Sequence, residues 1–258
     1  MLPPNENNYD INEQNNPSIA TENEVTSKNI SVIKKAIIIL VGIGGLFIFS
    51  ILGTLIAKSL NLQTASELNG ATNFITYAFL FVTILAIVNK DILKLKFEFK
   101  KWMSYLIGFG FGVGMIVFPI IYNFIVNLFY KTSVNENEGA LRSFIVVYPV
   151  ISIIFLGFIG PICEEFTYRV GVFGILKKPK WLAYVIGTIV FALAHFSFTS
   201  ANIYNELINL PVYLVSGFLL CLAYDKFGLA ASLTAHIVNN VYSVGMVIIL
   251  NYLNGLVS

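Results

Sequence analysis

Seven stretches of this chain are apolar for long enough to cross a membrane: 36–57, 72–88, 102–130, 144–176, 181–199, 207–224 and 228–250. A hydrocarbon core of about 30 Å takes about 20 helical residues to span. Lipid offers a bare backbone no hydrogen-bond partner, so each run has to satisfy its own amides as a helix. The runs are too long and too evenly apolar to be barrel strands. The expected fold is therefore all-α, a polytopic transmembrane helix bundle with about seven to eight spans. Composition agrees, because 57% of residues are hydrophobic and 12% are charged, against roughly 25% charged in a soluble domain.

Residues 1–35 differ from the rest. They are rich in Asn, Glu, Ser and Thr and nearly devoid of aromatics, a composition that cannot bury a core and is expected to form a disordered cytoplasmic tail. The tail carries Glu6, Asp10, Glu13, Glu22 and Glu24 where a secretory signal would be basic, so the first span is expected to be retained. Residues 36–143 then supply amino-terminal helices, and 144–258 a second set that holds nearly all the chemistry. A formal net charge of +2 favours no nucleic-acid partner. Of the 16 lysines and arginines, only Lys58, Lys131 and Arg142 fall in loops on the far side when the amino terminus is placed inside, and Arg169 lies within a span. The positive-inside rule then gives an inside amino terminus and an outside carboxyl terminus. Trp102 and Trp181 start spans at the lysine-rich end, where indoles favour headgroups.

Cys163 and Cys221 lie in apolar runs and are expected to be buried free thiols. Gly108, Gly110, Gly112 and Gly114 follow no strand, so they suggest a close-packing helix face rather than a nucleotide loop.

The ionisable residues inside the spans are Glu164, Glu165, Arg169, His195 and His236, and these include both histidines of the chain. A charge at mid-bilayer costs at least about 2.5–3.5 kcal/mol, so such residues are expected to face the bundle interior and one another. Glu164 and His195 stand nearly equidistant from a turn centred on Pro179, each about 20 Å along its helix. His236 stands about 15 Å beyond Lys226, so all three could meet at one level. Arg169 is one helical turn from Glu165, and Asn240 shares a face with His236, where its amide could donate to an oxyanion. Gly157, Gly160 and Pro161 interrupt the helix one turn before the glutamates and free carbonyl groups there. Phe191, Tyr168 and Phe196 suggest core or pocket wall.

In this order the residues resemble a known family, the CPBP intramembrane proteases, which comprise CAAX proteases and bacteriocin-processing (Abi-like) enzymes. Glu164, Glu165 and Arg169 form Glu-Glu-x-x-x-Arg; Phe191 and His195 form Phe-x-x-x-His; His236 and Asn240 form His-x-x-x-Asn. The similarity covers roughly 145–245 and departs at Val170, where many relatives have glycine and this chain has Gly171 one position later. The resemblance implies an endopeptidase in which Glu164 and His195 activate water, His236 and Asn240 stabilise the oxyanion, and Arg169 holds the glutamates in place. Its implied substrates are membrane-associated peptides or proteins.

A metal is left open. Glu164, His195 and His236 could supply three zinc ligands, yet HExxH is absent and the metal-independent alternative, with no cofactor, is favoured. Two other functions compete: a non-catalytic bacteriocin-immunity or membrane-partner-binding protein, and a small transporter with a Glu164–His195 proton relay. The halves show no internal repeat of the kind many transporters have. Asn- and Lys-rich loops suggest a bacterial cell membrane. Oligomeric state is not legible.

Overall fold

The computed structural model describes residues 27–257 apart from 61, 63, 132 and 177. Residues 1–26 of the polar tail lie outside this range. The described residues form α1 (Val32–Ser59), α2 (Ala65–Val88), α3 (Ile92–Phe99), α4 (Trp102–Asn127), α5 (Glu136–Val147), α6 (Pro149–Phe173), α7 (Lys180–Ala194), α8 (Ile203–Phe227) and α9 (Leu229–Val257). Six of these helices are long and apolar enough to cross a membrane, and α7 is a shorter apolar helix. The protein is a polytopic helical membrane bundle.

Two expected spans change shape. The run 144–176 divides at Tyr148, because Pro149 restricts the residue before it and opens a new helix. What precedes the proline is α5, a helix outside the six spans. The run 181–199 ends at Ala194. Fifteen residues rise only about 22 Å, less than the hydrocarbon thickness, so His195 follows the helix within the bundle. The tail boundary at 35 also moves: α1 begins at Val32 behind the capping hydroxyl of Ser31, and Ser27–Asn29 form a turn whose first amide donates to Glu98.

The ends of the helices carry their own stop signals. Thr64 and Glu67 form a reciprocal capping box that opens α2. Between α8 and α9 the chain reverses at Gly228, whose φ of 87° is a left-handed conformation that favours glycine. Glu98 accepts from the Leu229 amide at 2.6 Å and covers the start of α9. At this lysine-rich end Lys34 pairs with Asp91, and Lys180 pairs with Asp225 at 3.0 Å. Trp102 and Trp181 stand exposed there, as interfacial anchors should.

Small residues let α4 approach α9. Gly108 and Gly112 are buried, and a β-carbon would come within 2.5 Å of the Ala231 carbonyl and 2.7 Å of Val238. Gly110 faces open space. The expected packing face therefore consists of alternate members of the four-glycine series. Gly108→Ala should destabilise the bundle by about 1–3 kcal/mol through overpacking, whereas Gly110→Ala should cost nothing measurable. Thermal unfolding of the two variants in the same detergent checks this.

Candidate active site

Three elements deliver the ionisable residues. Helix α6 is not a regular α-helix: residues Phe155–Ile159 and Glu165–Phe173 wind as π-helix around a short α-turn, Gly160–Glu164. The Gly160 amide bonds back to Phe155, five residues earlier. In that register Leu156 should accept from residue 161, but Pro161 has no N–H. The stranded Leu156 carbonyl is taken by Asn240, whose Nδ2 donates to it at 3.0 Å. The interruption expected from Gly157, Gly160 and Pro161 is thus real, and the carbonyl it frees fastens α6 to α9 beside the site. The close approach of α1 falls at Gly171, where a β-carbon would come within 2.9 Å of Ile39.

Within α6 the two glutamates face different surroundings. Glu165 is fully buried, lies 3.5 Å from the Arg169 guanidinium, and is 2.9 Å from His236 Nδ1. Arg169 is also fully buried, with its guanidinium 4.6 Å from the centre of the Phe191 ring. Glu164 accepts a hydrogen bond from the Tyr77 hydroxyl of α2 at 3.1 Å through Oε1. Its other oxygen faces both imidazoles, 3.9 Å from His195 Nε2 and 3.6 Å from His236 Nε2, and has no hydrogen-bond partner among the described residues. The three residues expected at one depth therefore meet. Both cysteines are buried and free.

Hydrogen bonds set the histidine tautomers. His195 Nδ1 lies 2.9 Å from the Phe191 carbonyl, which can only accept, so Nδ1 carries the proton and a neutral ring presents a lone pair from Nε2. His236 Nδ1 in the same way donates to the Glu165 carboxylate. Phe191 packs between the histidines, with ring centres 4.7 and 5.7 Å away, and lines the cavity, while Tyr168 behind it belongs to the buried core. Phe196 instead packs on Phe198 in the following loop.

The Glu164, His195 and His236 donors have the right chemistry for zinc but the wrong spacing. A tetrahedral site with ligands at 2.0–2.1 Å has edges of about 3.3 Å, whereas the separations here are 3.6 and 3.9 Å. Among the described residues no three His, Cys, Asp or Glu side chains form a group that could hold a metal.

A cavity of about 640 Å³ leads away from His195 and His236 between α4, α5, α8 and α9. Its wall runs from Met115 and Leu156 near the histidines to Asn123, Arg142, Asn251 and Asn254, at the end of the bundle opposite the lysine-rich loops. Glu136, at the start of α5, accepts from Ser197 Oγ at 2.8 Å. Bonds from Ser197 and Ser200 hold its carboxyl below the usual carboxylate range, so the link persists at neutral pH and is lost only as pH falls through that lowered value.

Several residues at the site fell outside the sequence-based set. Tyr77 is one tyrosine among 13 and nothing in its surroundings marks it. Glu206 sits one residue before the span drawn from 207, yet it lies in α8 and is 1% exposed. Asn135 and Tyr213, which contact His195, belong to none of the three motifs.

Fold and site together define an integral membrane protein whose part-buried carboxylate faces two imidazoles at the head of a cavity with a mixed polar and apolar wall. Residues 146–242 match the family described as type II CAAX prenyl endopeptidase Rce1-like, an interval that contains all three motifs. A Staphylococcus aureus protein described as membrane-embedded CAAX protease MroQ is 29% identical over 187 residues, or 67% of this chain and 70% of that protein. An uncharacterized protein of Mycoplasma capricolum is 28% identical over 173 residues, 60% of this chain and 48% of the relative. No solved structure is significantly similar to the chain. The later half of the chain is therefore similar to CAAX-type intramembrane proteases.

Proposed function

We propose that this protein hydrolyses peptide bonds of membrane-associated substrates with a water activated by Glu164 and His195. The observation that carries the reading is the Glu164 Oε2 oxygen, buried and without a protein partner, facing two Nε2 atoms at 3.9 and 3.6 Å. Separations of that size suit a bridging water better than a direct bond. In such a bridge Glu164 accepts one proton of the water and the His195 lone pair accepts the other, which orients the oxygen. As that oxygen bonds to the scissile carbonyl carbon, its proton passes to Glu164 and negative charge collects on the carbonyl oxygen. Glu164 then returns the proton to the amide nitrogen as the C–N bond breaks, leaving a carboxylic acid and an amine.

His236 stabilises the oxyanion in this reading. With Nδ1–H held by Glu165, a second proton on Nε2 points towards Glu164 and the reacting carbonyl, and the nearby carboxylates balance the imidazolium. Asn240 spends one amide hydrogen on Leu156 and keeps the other for the cavity. Arg169 acts on Glu165 alone. No step of this reading uses a metal.

The cavity wall suggests how substrate lies. From His236 to Asn254 the inner face of α9 carries Asn239, Asn240, Ser243, Asn251 and Asn254. Each asparagine offers both a donor and an acceptor, as a peptide backbone requires. That face is about 27 Å long, enough for about eight extended residues. The substrate chain would thus approach from the end opposite the lysine-rich loops, which the positive-inside rule makes the outer face.

Purified wild-type protein incubated with a library of membrane-tethered peptides should cleave some of them at a rate unchanged by a zinc chelator. Loss of cleavage with chelator would establish a metal site. Folded protein that cleaves nothing in the library would favour a binding role such as immunity.

A further inference from the structure

We propose that Asn135 is a positioning residue for His195, acting with Tyr213, and that it ties the histidine to α5, the helix that walls the substrate cavity. The proposal rests on the reading that His195 acts in cleavage. It arises from where His195 sits. As the C-cap of α7, with φ −102° and ψ 0°, His195 has left the helix, and the helical ladder no longer holds its carbonyl. Something else has to fix both its backbone and its ring.

One side chain does the first and reaches the second. Asn135 Nδ2 donates to the His195 carbonyl at 3.0 Å, and Asn135 is 2% exposed. The same residue's Oδ1 accepts from the Glu138 amide at 2.8 Å, which caps α5, and from the Tyr213 hydroxyl at 3.4 Å. The Tyr213 ring lies flat on the His195 imidazole, with centres 4.8 Å apart and planes inclined by 22°. Asn135 therefore touches the helix that walls the cavity, the backbone of the histidine and the aromatic plate behind its ring.

A second bridge runs alongside. The two oxygens of Glu206 accept from the Glu136 amide at 2.9 Å and the Ser197 amide at 3.1 Å, one residue after Asn135 and two after His195. The start of α5 and the histidine loop are thus joined twice within three residues. Helix α5 contributes Leu141, Arg142 and Ile145 to the cavity wall. Asn135 and Glu136 precede residue 146, where the family match begins, so the α5 end of this link lies outside the matched interval while His195, Ser197, Glu206 and Tyr213 lie within it.

A capping role alone would give Asn135 no influence on the chemistry, and one substitution separates the two roles. Asn135→Asp keeps the size, the cap and the acceptor for Tyr213, since Asp caps as well as Asn. It replaces the amide donor with an oxygen facing the His195 carbonyl. A displacement of a reacting group by about 1 Å costs up to about a hundredfold. We therefore expect kcat to fall about 10–100-fold and KM to change less than about threefold in protein that is still folded at the assay temperature, with the thermal midpoint lowered by the buried carboxylate. Tyr213→Leu, which leaves the cap untouched, should lower kcat in the same way, while Tyr213→Phe should retain most activity. Wild-type kcat in Asn135→Asp, or a loss seen only in KM or only together with unfolding, would overturn the proposal. If Asn135→Asp does not fold, an unaltered kcat in Tyr213→Leu overturns it. A wild-type protein that cleaves nothing would sink the functional reading instead. In that case the ¹⁵N resonances of the His195 ring decide: one sharp Nδ1-protonated form in wild type that broadens in Asn135→Asp supports positioning, and identical spectra refute it.

Discussion

Glu164→Gln should lower kcat by about 10²–10⁴-fold, the range contributed by a general base, while leaving the bundle as stable as wild type. The amide keeps an oxygen for the Tyr77 hydroxyl, which bonds Glu164 Oε1 at 3.1 Å, so the side chain should stay in place. What it loses is the ability to take a proton from water. Stability should not suffer, because Glu164 has no part in the Glu165–Arg169 ion pair. Single-turnover cleavage beside thermal unfolding measures both. A folded variant retaining more than about a tenth of wild-type kcat would remove Glu164 from the proton-transfer role.

The neighbouring carboxylate should behave in the opposite manner. Glu165→Gln is expected to destabilise the protein by about 3–5 kcal/mol, because it leaves the fully buried Arg169 without its counter-charge. The double variant Glu165→Gln with Arg169→Met should recover most of that loss, since an apolar side chain of similar length needs no partner. Activity should stay low in the double variant, because His236 then donates to a neutral amide and its positive form is no longer balanced. Equilibrium unfolding in one detergent or bilayer system, with cleavage assays on each variant, tests the pair. A cost below about 1 kcal/mol for Glu165→Gln would mean that Arg169 finds compensation outside the carboxylate. Two adjacent glutamates with opposite phenotypes, one inactive but stable and one unstable, would be hard to obtain from a purely structural cluster.

The motif residues were legible in the sequence for an energetic reason. An ionisable side chain in a hydrophobic run is costly enough to need a partner, so Glu164, Glu165, Arg169, His195 and His236 stand out without any structure. Counting helical rise was enough to expect Glu164 and the two histidines at one level, and they are indeed grouped around Glu164 Oε2. The count succeeded despite a wrong premise, since α6 is partly π-helical and His195 lies just beyond the end of α7. Tyr77, Asn135 and Glu206 were not legible. A tyrosine or an asparagine at a span edge costs little wherever it lies, so its type alone says nothing about its partners. Glu206 escaped because the hydropathy boundary was drawn at 207, four residues after α8 begins at Ile203.

The sequence by itself determined that this protein spans a membrane as helices, and which side chains cannot be left alone inside it. Both follow from transfer free energies that belong to residues and runs of residues. Only the tertiary structure decided that Pro161 strands a carbonyl for Asn240, that α5 lies outside the spans, and that Asn135 and Tyr213 hold His195. Those outcomes depend on hydrogen bonds and ring contacts between residues up to 84 positions apart. Such bonds are worth about 1 kcal/mol each and are directional, so they form only where packing has already brought the partners together.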